Sequence, residues 1–405
     1  MRFSRFIVAS IVTTSLCVSA SAEATRPASP EAINPFHIKG ELTATDDPLQ
    51  LGFVTAISGD TIAATGGGAV YVYTRPAGGW ASMTQTAKLT ASDGSSLLSV
   101  AISGNTIVAG SFVANNFTGA AYVFVEPSGG WTDMTETATL TAFAGAEGDR
   151  FGFSVAIVGN TVAVGALQNN SVGITYPVGA GAAYVFMKPV AAWSSTTETA
   201  KLTPSDGMAG DDFGYSVAVL GDTVASGAPN ATIGGTALEG AVYVFQRSGS
   251  TWVNATETAK LTASDGAAVS VVGFDVSISK NNIAASAFNQ VYVFTRPSGG
   301  WTSATQTAEL KDPSGLTFSL KSTDVCGEYV LAGDPLATDH PMVDLYVEAT
   351  TGWSNSPPAY RFSAPADNGN GSFGWSVGVS GRTMVIASPL NEGSGGNIIY
   401  VYAPN

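Results

Sequence analysis

Charge, histidine and cysteine are scarce in this chain. Of 405 residues only 12% are charged, and there are two histidines and two cysteines. Each scarcity excludes something. The cysteines, Cys17 and Cys326, stand far apart, so no paired-cysteine zinc motif exists. No Gly-x-Ser-x-Gly elbow and no phosphate-cradling glycine loop occurs. Apolar residues spaced three to four apart never run beyond about two turns, which argues against a helical fold. No apolar stretch reaches the ~18 residues of a membrane-spanning helix. Basic residues number 17 against 31 acidic ones, a net charge of −14. An acidic surface repels phosphate backbones and anionic lipid heads, so nucleic acid is not an expected partner.

The first 22 residues have the make-up of a secretory leader. Arg2 and Arg5 precede a largely apolar run from Phe6 to Val18, and Ala20-Ser21-Ala22 offers a small-residue cleavage site. A lead segment, 23–37, follows. Cys17 falls within the leader behind Leu16, a poor context for a lipid-anchored cysteine. The mature chain would keep Cys326 alone and would be held by its core rather than by disulfides. The expected location is extracellular or on the cell surface.

What the chain has in abundance is glycine, 47 residues, and a repeat. A Tyr-Val-aromatic core recurs at Tyr71, Tyr122, Tyr184, Tyr243, Tyr292 and Tyr400, with a weaker copy at Tyr346-Val347-Glu348. Nine residues after each of the first five comes a tryptophan: Trp80, Trp131, Trp193, Trp252 and Trp301. At the weak copy the gap to Trp353 is seven. A period of about 50 to 60 residues points to a propeller or solenoid.

Each unit reads as four short strands. The first alternates, as in Phe151-Gly152-Phe153-Ser154-Val155-Ala156-Ile157, with large groups on one face and small ones on the other. A tight turn such as Gly159-Asn160 leads to a β-branched second strand, since glycine at the first turn position suits a type II′ hairpin. The third strand carries the Tyr-Val core, and a Thr-rich fourth strand closes the unit. The last unit lacks a fourth strand, and one such strand stands alone at 38–45. A closed ring explains this offset. The reading is therefore all-β, a seven-bladed propeller of four-stranded antiparallel blades over 38–405, with the N-terminal strand completing the last blade. Unit six is the most degenerate, and 321–326 fits the strand-one pattern poorly.

These units resemble the FG-GAP repeat, the blade of integrin α-subunit propellers. Phe151-Gly152, Phe213-Gly214 and Phe373-Gly374 stand for the first element, and Gly227-Ala228-Pro229 for the second. The resemblance implies a binding or adhesion role. Many members bind calcium through an Asp-x-Asp-x-Asp-Gly run between strands one and two. Here that loop is only Gly-Asp or Gly-Asn, too small to offer calcium its ~6–8 oxygens, so no cofactor is expected.

Strand alternation places the two–three and four–one loops on one face. The longest two–three loops belong to units two, three and four, and unit five has almost none. Candidate ligand-binding residues on this face are Tyr176, the pair Asp211 and Asp212, and the pair Asp339 and His340. The tryptophans, recurring at one position, are expected to be core. Sequons mark Asn116, Asn169, Asn230, Asn254 and Asn370 as glycosylation candidates. The leading reading is a secreted, monomeric propeller that recognises an extracellular protein or polysaccharide. Alternatives are a polysaccharide lyase or glycoside hydrolase using loop carboxylates, and a structural wall or matrix component.

Overall fold

The computed structural model describes residues 34–168, 179–311, 322–335, 341–365, 372–389 and 397–405, and the backbone of Thr13–Thr14. Seven antiparallel sheets follow one another in chain order, each built on four strands. Blade three shows the pattern: Ser154–Val158 pairs with Thr161–Ala166, then Ala182–Met187, then Ala200–Leu202. The only helical turn among the described residues is Ala114–Phe117, and its middle is left-handed. No helix among them is long and apolar enough to cross a membrane.

The hairpins form as the turn residues dictate. Gly59, Gly104, Gly159, Gly221, Gly327 and Gly381 have φ between +54° and +63°, and the residue after each does not share the positive φ. That is the type II′ requirement. In blade five Lys280 takes the same position at φ +53°.

The core is divided among seven joints rather than gathered in one place. Side chains alternate along each strand, so Tyr243 and Phe245 pack towards blade three while Val242 and Val244 pack towards blade five. Each marker tryptophan enters the joint with the preceding blade, as Trp252 does between blades three and four.

Ring closure is seen directly. Phe36–Thr43 pairs antiparallel with Ile398–Pro404, from Phe36 opposite Pro404 to Leu42 opposite Ile399, with a bulge near Lys39. The strand starts and ends two residues earlier than the expected 38–45. Phe36 extends it because its ring fits edge-on against Tyr329, Tyr360 and Phe362 of blade six.

Two sequence expectations need correction at blade six. Ala332 pairs with Asp344 as Ala285 pairs with Tyr292, so the equivalent of the marker tyrosine is Asp344, not Tyr346. The distance from Asp344 to Trp353 is then the usual nine, and the apparent gap of seven was a two-residue misalignment. The degenerate stretch is also a true inner strand, Ser322–Cys326. It reads poorly because buried polar bonds replace apolar packing there. Asp275 Oδ2 accepts the Thr323 amide and Asp324 Oδ2 the Val379 amide, each at 2.8 Å, tying blades five, six and seven together.

Cys326 is disulfide-bonded, contrary to the expectation of a fold without disulfides. A chain cut after Ala22 keeps no second cysteine, so this bond belongs to the uncut chain. The Thr13–Thr14 backbone, which pairs with Val100 and Ala101 of blade two's inner strand, belongs to it likewise.

Candidate functional site

The frame beneath the loop face is set by glycine contacts. In four joints the FG glycine of one blade lies against the second-strand glycine of the blade before it: Gly152 on Gly110, Gly214 on Gly165, Gly273 on Gly227 and Gly374 on Gly333. A Cβ on Gly165 would sit 2.0 Å from the Gly214 carbonyl oxygen, and Gly214 itself has φ +89°. The Ser154 hydroxyl donates to that same carbonyl at 2.8 Å. Ser99, Ser216 and Ser322 make the equivalent bond to Gly152, Gly273 and Gly374. The two motif elements are thus the two halves of one inter-blade contact.

The residue after each FG glycine builds an aromatic collar. Trp375 meets Phe53 at 5.3 Å, Phe153 meets Tyr215 at 5.1 Å, and Tyr215 meets Phe274 at 5.0 Å between ring centroids. Each contact joins neighbouring blades.

Outside the collar, clasps of two or three side chains join blades. The Tyr71, Tyr122, Tyr243 and Tyr292 hydroxyls donate to Asp46, Asp93, Asp206 and Asp265 of the preceding four–one loop, at 2.7 to 3.0 Å. Lys88 and Lys260 add ion pairs to Asp46 and Asp206 at 2.5 and 2.6 Å. The Lys88 hydrogen bond, working against burial, holds the Asp46 carboxyl below its ordinary range. Burial alone would raise Asp206, but bonds from Lys260 and Tyr243 bring it below as well. In blade three the acid's place is taken by Ala144, and Lys201 lies over the Tyr184 ring without a clasp carboxylate. In blade six Asp344 and Arg361 replace the tyrosine and lysine, paired at 2.7 Å.

Among the described residues the loop face is low at two blades. Two-residue turns close strands two and three in blade one, at Gly67-Gly68, and in blade five, at Phe288-Asn289. The links in blades two, three and four span 112–119, 167–181 and 229–240. The blade-seven link, 389–397, exceeds that of blade two, which corrects the sequence ranking.

One cluster on this face lies where blades two, three and four meet. It gathers Phe112, Phe117, Arg150, Phe153, Asp212, Tyr215 and Asn230. Phe117, Arg150 and Asp212 all have left-handed backbones, with φ of +62°, +58° and +56°. Such conformations cost a non-glycine residue about 1 kcal/mol or more each and concentrate at functional sites. Arg150 is only 6% exposed. Its guanidinium carbon lies 5.9 Å from the Phe112 and Phe117 ring centres alike. Burial lowers its pKa, while the Asp212 charge opposes that.

The sequence candidates divide clearly. Tyr176, Asp339 and His340 lie outside the described residues, as do Asn169 and Asn370. Asp211 is buried and caps its own loop, accepting the Met208 amide at 2.8 Å, and burial raises its pKa. Asp212 turns to another task and accepts the Asn230 amide nitrogen at 2.8 Å. The two neighbouring acids therefore do not form a catalytic pair. Asn230, so engaged, differs from Asn254, which is exposed on the outer rim with its Oδ1 accepting the Lys201 amide. Asn116 is exposed within the left-handed turn. Arg150 is a residue that sequence reasoning does not single out. Its aromatic flanks come from another blade, and no local spacing announces them.

Comparison with known proteins agrees with this geometry. No curated protein matches the chain in sequence. The family model described as FG-GAP repeat matches residues 83–124, 134–186, 196–245 and 255–294. With four such repeats in a seven-bladed ring, the chain fits the FG-GAP propeller family.

Proposed function

We propose that the protein is a secreted binding propeller that holds a protein or polysaccharide partner on its loop face. The observation that carries this reading is the partly buried cluster around Arg150, with three left-handed non-glycine residues, set on a frame of repeat contacts. Loops on a rigid scaffold are where recognition residues concentrate. The FG-GAP repeats support an interaction scaffold, and the leader-like start supports export. Fold alone does not assign a partner.

The test replaces link 229–240 with the two-residue blade-five turn. Binding to immobilised matrix proteins and polysaccharides is then measured beside the melting temperature. The expected result is lost binding to a partner of the parent protein, with melting shifted by no more than about 3 °C, as loops tolerate length changes cheaply. Undiminished binding would count against the loop face.

A further inference from the structure

We infer that the Arg150 cluster is a subsite for a neutral sugar, held through a pair of adjacent hydroxyls. The inference rests on the loop face being the binding face and names what that face takes. Its starting point is an unfilled requirement. The Arg150 Nε is buried without an acceptor, on a side chain only 6% exposed. Arginine stays charged at any working pH, so it cannot escape the cost by losing its proton. A buried donor left unmet costs about 1–3 kcal/mol, and more when charged. Asp212 attracts the guanidinium through space, yet its carboxylate is bonded to Asn230 and forms no ion pair with Arg150.

The surroundings select the ligand's chemistry. Phe112 and Phe117 flank the guanidinium and fix the plane of its donors. Two adjacent hydroxyls can accept the parallel N–H bonds of such a fork and donate in turn to the Asp212 carboxylate. Half-buried Phe117 and Tyr215 supply aromatic surface for the apolar face of a sugar ring. An anionic ligand fits less well. Glu147, Asp149, Asp211 and Asp212 stand in the same two loops, and the whole chain is acidic.

The experiment uses the full chain and titrates laminarin, galactomannan and xylan by calorimetry, with polygalacturonate and heparin as anionic probes. At least one neutral polysaccharide is expected to bind. Arg150→Met is expected to weaken it at least tenfold and to leave the melting temperature unchanged or higher, since it removes a buried unmet charge. Asp212→Asn and Phe117→Leu serve as second variants and should each weaken binding at least threefold. Binding of none of the neutral polysaccharides, preference for the anionic probes, or parent-like binding by Arg150→Met overturns the inference. So does a fall in melting of more than about 5 °C in that variant, which marks Arg150 as structural. If the 229–240 replacement loses a protein partner that Arg150→Met retains, the binding face stands and the sugar subsite falls.

Discussion

The outer rim and the loop face are made by the same repeat, and they obey different rules. On the rim, polar side chains recur at fixed places in the repeat and accept amides from the strands beside them. Asp133, Ser195, Asn254, Ser303 and Asn355, each two residues after a tryptophan, accept an outer-strand amide of the preceding blade. Three residues further on, Glu136, Glu198, Glu257 and Gln306 accept the amide just beyond that strand. Then Thr137, Thr199, Thr258 and Thr307 accept an amide of their own blade. The short segments Met83–Thr84, Met134–Thr135, Thr196–Thr197 and Ala304–Thr305 lie parallel to the neighbour's outer strand and cover its edge. Across the loop face, by contrast, link lengths differ from blade to blade and a charged side chain stays buried without an acceptor. The rim is fixed because open sheet edges invite mispairing. The loop face carries no such obligation and is free to specialise.

The contrast can be broken first at the ring's closure. Removing residues 23–43 strips the outer strand from blade seven and exposes the edge of Ile398–Pro404. Cooperative unfolding by calorimetry should disappear, or the melting temperature should drop by more than about 10 °C. A truncated chain that melts like the parent would refute closure as a stabilising device.

A joint is the next target. Gly214→Ala places a Cβ 2.5 Å from the Ala182 carbonyl oxygen at φ +89°. Chemical denaturation should show a loss of about 2–4 kcal/mol, in the range of severe backbone and packing changes. The same substitution at Gly234, whose Cβ would meet nothing within 4 Å, should cost about 1 kcal/mol from its positive φ alone.

The clasps sharpen the comparison within the rim itself. Tyr243→Phe removes the bond to Asp206 and should cost about 1 kcal/mol. Tyr184→Phe, where Ala144 replaces the acid, should cost less. Equal losses would show that burial of the hydroxyl, and not the clasp, sets the effect.

Acid should reveal the clasps with the smallest signal. Asp46 and Asp206 have pKa values lowered on folding. A lowered carboxyl adds stability above its unfolded pKa, and that share is lost as pH falls through the folded value. Between pH 7 and 5 these acids should therefore contribute no slope. Below about pH 4 the parent should lose stability faster than Asp206→Asn, as followed by melting temperature against pH.

Much of this was legible from residues alone. The Tyr and Trp markers gave the number of blades because each packs into a joint between neighbouring blades, the tyrosine from strand three and the tryptophan from the link that follows it. The offset strand gave closure because a Thr-rich strand has no other place to pair. The misplaced marker at blade six has a simple cause. Asp344 stands where a tyrosine was sought, and Tyr346, two residues on, occupies a second aromatic position on the same face. A period-two pattern cannot distinguish a shift of two. The Arg150 cluster was not legible, since Phe112 and Phe117 come from blade two, Arg150 from the link into blade three, and Asp212 from the link into blade four. Only the ring brings them together.

The edge-covering segments carry one more consequence. Each matched repeat begins at or beside such a segment and ends in the third strand of the next blade, as 134–186 does. The unit that recurs is therefore a joint and not a blade. Duplicating or losing such a unit changes the number of blades while every outer strand keeps its cover. A ring built this way can change size by whole units without passing through a form with a bare edge.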